Sequence, residues 1–121
     1  MKTLQYQLTN PKTYFTVTKN DINNSNALLP NVLYETMEEV VNTIILNNPD
    51  IANIPPRLCQ LKLLKNAFLN DKLLLQSNII KFNASELLLS IVVKRKEKKQ
   101  PTLICKAVFK FHLKENIQSA S

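Results

Sequence analysis

The sequence contains no glycine and no tryptophan, and only one histidine and two cysteines among its 121 residues. Without glycine, backbone cannot approach a phosphate where a Cβ would collide, so the Walker loop and the dinucleotide fingerprint are both excluded. The glycine-flanked serine elbow of hydrolases goes with them. Any turn that needs a positive φ must fall to asparagine, of which there are fifteen. Its short polar side chain tolerates the left-handed region better than most.

Arginine is scarce as well: two against fourteen lysines, in a chain with nine acids and a formal net charge of +7. Bidentate reading of bases and phosphates relies on the guanidinium fork, so this shortage argues against sequence-specific nucleic-acid recognition. The surplus charge fits an anionic partner or a lysine-rich solvated surface. Its one run, Lys94, Arg95, Lys96, Lys98 and Lys99, reads as a solvated hairpin turn between the last two strands. Cys59 and Cys105 stand in apolar, strand-like stretches, which suits buried thiols in a reducing compartment, and no metal-ligand spacing accompanies them. The start, Met1 to Tyr6, lacks the apolar core of a secretory signal, and no apolar stretch is long enough to cross a bilayer. The expectation is a soluble cytoplasmic protein with no membrane span.

What is present reads as strand, long helix, then strands. Thr13 to Thr18 is aromatic and β-branched and predicts a first strand, ended by the polar stretch Lys19 to Asn26. From Ala27 to about Leu46, Leu29, Leu33, Met37, Val40, Val41 and Ile44 recur every three or four residues, which predicts a helix with one buried face. Asn26 is its expected cap, and Pro30 is tolerable only in the first turn. Asn47-Asn48-Pro49-Asp50 should stop it, and Pro55-Pro56 should keep the next connection extended.

Strands are expected at Leu58 to Lys65, Lys72 to Phe82, Ser85 to Arg95 and Thr102 to Lys114. In the last, Leu103, Cys105, Ala107, Phe109, Phe111 and Leu113 alternate with Lys106, Lys110, His112 and Lys114, giving one core face and one wet face. Leu87 to Val93 is apolar on both faces, as in a central strand or one covered by a second subunit. One amphipathic helix followed by long antiparallel strands predicts an α+β sheet wrapped around that helix. A single domain over residues 1–121 is expected, with a ragged tail over 115–121.

Two segments carry a resemblance. Asp21-Ile22-Asn23-Asn24-Ser25-Asn26-Ala27-Leu28-Leu29-Pro30-Asn31, running on to Glu38, is similar to a pattern in which Asp-x-Asn-x-x-Gly-x-Leu precedes a glycine pair and a helix. In that pattern a carboxylate lies eight residues after the first glycine. Leu63 to Leu73, containing Phe68-Leu69-Asn70-Asp71, looks like a Phe-x-x-Pro-x-x-x-Gly-Asp turn into a long strand. From about Tyr14 to Leu113 the chain thus resembles the hot-dog fold acyl-CoA thioesterases, a divergent member with the glycine positions replaced.

The resemblance implies a hot-dog fold and hydrolysis of an acyl-CoA or acyl-carrier-protein thioester in fatty-acid metabolism. Glu38 takes the place of the helix carboxylate that acts as base or nucleophile. On a helical wheel it lies beside Tyr34 and Ile45 at the margin of the apolar face, where lost solvent would raise a carboxylate's pKa, whereas Glu35 and Glu39 lie on the polar face. Asn23 matches an asparagine that assists from the neighbouring subunit in one branch, although it also suits a turn. The glycine pair stands here as Pro30 and Asn31; proline has no N–H, which leaves the Asn31 N–H to polarise the carbonyl. Asn70 replaces the glycine of the strand turn.

No separate cofactor is implied, coenzyme A being part of the substrate, and Arg57, Lys65 and Lys81 are candidates to grip its phosphates. The family joins sheets edge to edge, so a homodimer or a dimer of dimers is expected. The alternatives are a non-catalytic acyl- or acyl-CoA-binding hot-dog protein and a dehydratase-like relative. The latter needs a histidine paired with a carboxylate, and the lone His112 falls on the wet face of the last strand.

Overall fold

The computed structural model describes residues 12–52 and 54–114. In chain order it consists of β1 (Lys12–Thr16), a 3₁₀ turn (Lys19–Asp21), α1 (Pro30–Asn47), β2 (Arg57–Leu63), β3 (Lys72–Phe82), β4 (Glu86–Arg95) and β5 (Thr102–His112). The strands form one antiparallel sheet in the order β1-β3-β4-β5-β2. The chain leaves the sheet at one edge and re-enters at the other, and α1 is the element that makes the crossing. This connectivity lays the helix across one sheet face.

That face is apolar because the strands alternate. Leu73 and Leu75 of β3, Leu87, Leu89, Ile91 and Val93 of β4, and Cys105, Ala107, Phe109 and Phe111 of β5 are all buried. They meet Leu33, Met37, Val40, Val41 and Ile44 of α1, the residues whose helical spacing predicts the buried face. Thr36 is buried among them, its hydroxyl donating to the Val32 carbonyl at 2.9 Å. The two-sided apolar run Leu87 to Val93 lies in the central strand of the five.

Both ends of α1 follow from local chemistry. Pro30 is the first helical residue, where its fixed φ fits and its missing N–H costs no helical bond. At the far end the buried Asn48 donates its side-chain amide to the Ile44 carbonyl at 2.7 Å, and Pro49 follows. Asn48 thus satisfies one of the carbonyls that a helix end leaves free.

Several details differ from the sequence-based expectations. The helix starts at Pro30, three residues after Ala27, with Leu29 as its cap residue. Asn26 is not a cap: its φ of 62° places it in the left-handed region, as does the 74° of Asn70. The first strand spans Lys12–Thr16 and β2 spans Arg57–Leu63, while the final strand stops at His112. In β5 the buried series gains Ile104 and leaves Leu103 half-buried, because the register shifts between Val93 and Lys94. A bulge places two residues of one strand against one of its partner, so alternation slips there. Cys59, expected to be buried, is exposed, because it occupies a second register shift on the edge strand β2. The 115–121 tail lies outside the described residues.

Candidate active-site groove

Along α1, Tyr34, Glu38, Val41, Asn42 and Ile45 follow one another at helical intervals and form one wall of a groove of about 420 Å³. Ala52, Ile54, Pro55 and Pro56, from the connection into β2, form the facing wall, and Phe109 of β5 contributes to the lining. The proline pair keeps this wall extended, since each ring fixes its own φ and restricts the residue before it. The lining is largely apolar, with one carboxylate, one carboxamide and one phenol. That arrangement suits an acyl chain beside a polar reacting group.

Glu38 therefore sits where the helical wheel places it, between Tyr34 and Ile45 and facing the groove. Its side chain is exposed in the single chain, so the desolvation anticipated for a marginal position is not supplied by this subunit alone. Asn42, one turn further on, is a groove residue that the motif comparison did not mark. Its spacing of four residues from Glu38 was the available signal.

Asn31 lies seven residues before Glu38, on the same helix face and about 10 Å away along the axis. Its N–H donates to no carbonyl of the described residues, while Val32 and Leu33 both donate to the Leu29 carbonyl. Asn31 does not line the groove, nor does Asn23. The Asn23 side-chain oxygen accepts from the Ser25 N–H at 2.8 Å and the Ala27 N–H at 3.1 Å, so this oxygen builds the turn leading into the helix.

The three proposed phosphate-binding cations do not converge. Arg57 opens β2 next to the groove prolines. Lys81 lies on β3, three strand spacings or about 14 Å across the sheet. Lys65 follows the far end of β2, about 20 Å of strand away from Arg57. They cannot hold one phosphate group within a single subunit. His112 pairs with Glu86 across β4 and β5, and neither lines the groove. Among the described residues no cluster of three or more His, Cys, Asp or Glu could hold a metal ion.

No protein-family model matches the sequence, and no curated protein sequence does. Solved structures do match in shape. An acyl-CoA hydrolase variant from Staphylococcus aureus superposes with a TM-score of 0.73 at 11% identity, covering 92% of this chain and 69% of that one. A 4-hydroxybenzoyl-CoA thioesterase variant complexed with 4-hydroxybenzoyl-CoA gives 0.69 at 10% identity, covering 88% of this chain and 85% of the other. A hexameric thioesterase from Yersinia pestis gives 0.66 at 18% identity and covers 87% of each chain. With one long helix laid across a five-stranded antiparallel sheet and these neighbours over most of its length, the chain has the hot-dog fold.

Proposed function

We propose that the protein hydrolyses a thioester of coenzyme A or of an acyl-carrier protein in the groove between α1 and the segment entering β2. The observation that carries this reading is the Glu38 carboxylate facing a largely apolar groove of about 420 Å³. Glu38 acts as general base towards water or as nucleophile at the thioester carbonyl. The Asn31 N–H, without an acceptor among the described residues and lying at the positive end of the helix dipole, polarises that carbonyl. Asn23 retains an amide NH₂ that can assist from a neighbouring subunit, since only its oxygen is used by the turn. In keeping with this reading, the fold neighbours include a thioesterase with coenzyme A and an acyl-CoA hydrolase with butyryl coenzyme A.

The working unit is a dimer joined through β2. This edge strand exposes Leu61 at 42% and Leu63 at 55%, with Leu64 just beyond it at 51%. A second copy would cover them and close the groove, supplying the desolvation Glu38 lacks. Phosphate contacts for coenzyme A are then shared between subunits, with Arg57 nearest the groove along the chain but in register on the sheet face turned away from α1. A second reading, acyl binding without turnover, is favoured by Pro30, which removes one helix-terminal donor.

The test is hydrolysis of a panel of acyl-CoA esters by the wild type and Glu38→Gln. Turnover reduced about 10²-fold or more in the variant supports the assignment. Equal rates remove Glu38 from the mechanism, and acyl-CoA binding with no turnover by either protein selects the binding reading.

A further inference from the structure

Seven of the sixteen cations of this chain lie on the sheet face turned away from α1. One row across the strands runs Lys81, Leu88, Lys110, Arg57. Another runs Lys12, Gln76, Val92, Lys106, Lys62, and the next carries Tyr14, Leu74 and Lys94. These rows hold seven cations, and Glu86 is the single acid in any of the five strands. The helix on the other side is the reverse, with Glu35, Glu38 and Glu39 and no Lys or Arg. The net charge is therefore split between two faces.

Within the basic face, Lys62 stands directly opposite Lys106, and Arg57 directly opposite Lys110, whose ammonium also pairs with Glu86. Like charges facing each other across strands destabilise a sheet. An anionic partner would relieve that repulsion. At one end of the same face Tyr14, Leu74, Lys94, Lys96 and Pro101 enclose a cleft of about 160 Å³, with Tyr14 71% exposed.

We infer that this face docks on an anionic phospholipid surface. Lysine ammonium groups act as point charges that need phosphate density rather than a fixed geometry. The apolar side chains between them, Leu74, Leu88, Val92 and Val108, and the exposed Tyr14 suit the headgroup boundary. Single-stranded nucleic acid would call for several aromatic stacking platforms, and Tyr14 is the one aromatic residue in register on this face. No helix among the described residues is long and apolar enough to cross a membrane. The groove lies on the helix side and stays open to solution, and the inference is independent of whether that groove is catalytic.

The test is co-sedimentation of the full chain with vesicles of phosphatidylcholine alone or mixed with phosphatidylglycerol, at about 0.1 M and about 1 M salt. Binding to the anionic vesicles only, lost at high salt, is expected. Combined Lys62→Gln, Lys106→Gln and Lys110→Gln should weaken it about 10²-fold, at about fivefold per lysine. This variant removes both like-charge pairings together with the partly exposed Lys110–Glu86 ion pair, opposing effects of similar size, so its thermal midpoint should stay close to that of the wild type. Lys12→Gln with Lys94→Gln, outside those pairings, should weaken binding about 25-fold. Three results overturn the inference: no binding to anionic vesicles at low salt, undiminished binding by both variants, or tighter binding to an oligonucleotide at the same salt. The last would assign the face to nucleic acid.

Discussion

The Leu28 N–H donates to the Ala67 carbonyl at 2.8 Å. This bond joins the chain entering α1 to the turn entering β3, two stretches nearly forty residues apart in sequence. Ala27 bridges Phe68, and the Leu69 N–H donates to the Asn26 carbonyl at 3.0 Å. Both left-handed asparagines, Asn26 and Asn70, belong to this junction. The two segments that resemble the thioesterase pattern are thus one structural unit, which positions the start of α1 and hence the Asn31 N–H. Arg95 ties the same unit to the end of β4, donating to the Asn66 carbonyl at 3.2 Å and pairing with Asp71 at 3.5 Å.

Restoring a donor at the helix start tests the oxyanion reading. Pro30→Ala adds an N–H at the first helical position, and kcat should rise about tenfold or more if charge develops there. Steady-state kinetics on the best acyl-CoA ester measures it. An unchanged kcat would show that the carbonyl sits elsewhere.

Asn70, with φ of 74°, separates backbone need from side-chain need. Asn70→Ala should lower stability by about 1 kcal/mol, the cost of a Cβ in the left-handed region. Asn70→Gly should be neutral or slightly stabilising. Urea unfolding of the two variants gives the comparison, and an equal loss in both would mean that the side chain matters more than φ.

Ser77 is 1% exposed on the inner face of β3, and its hydroxyl has no hydrogen-bond partner among the described residues. A buried polar group left unpaired costs stability. Ser77→Ala should therefore stabilise the protein by about 1 kcal/mol, read as a higher midpoint in thermal or urea unfolding.

The two cysteines should differ in reactivity. Burial raises the Cys105 thiol to about 11 from 9.0, whereas Cys59 is exposed. A thiol-specific label at mild pH should modify Cys105 only after unfolding, and Cys59 in folded protein wherever the β2 edge is not covered by a second copy. The raised value also has a sign for stability. The native state holds this proton more tightly than the unfolded chain, so the contribution is complete below about pH 9 and is lost as pH rises towards about 11. Cys105→Ala should show a shallower fall in stability over that range.

The sequence exposed much of the fold because two periodicities were strong. Leu33, Met37, Val40, Val41 and Ile44 could only be one helix face, and the alternation from Cys105 to Phe111 could only be a half-buried strand. Lys72–Phe82 came out at its observed ends, since Asp71 and Asn83 flank it with turn chemistry. Asn26 was misjudged as a cap because asparagine serves caps and left-handed turns equally well, and only the backbone geometry separates the two. The burial of Ile104 and the exposure of Cys59 were hidden for a related reason: bulges are set by pairing across strands, not by either strand alone.

The candidate site divides along the same line. Glu38, Tyr34 and Ile45 share a helix face by spacing alone, so the sequence by itself determined that they belong together. It likewise determined the missing donor at Pro30, since no folding can add an N–H to proline. Phe109 and the Ala52 to Pro56 wall come from distant parts of the chain, and only the tertiary structure decided that they complete the groove. The separation of Arg57, Lys65 and Lys81 was decided there too. So was the division of charge between an acidic helix and a basic sheet face, because a count of lysines carries no direction until strand register assigns each one a side.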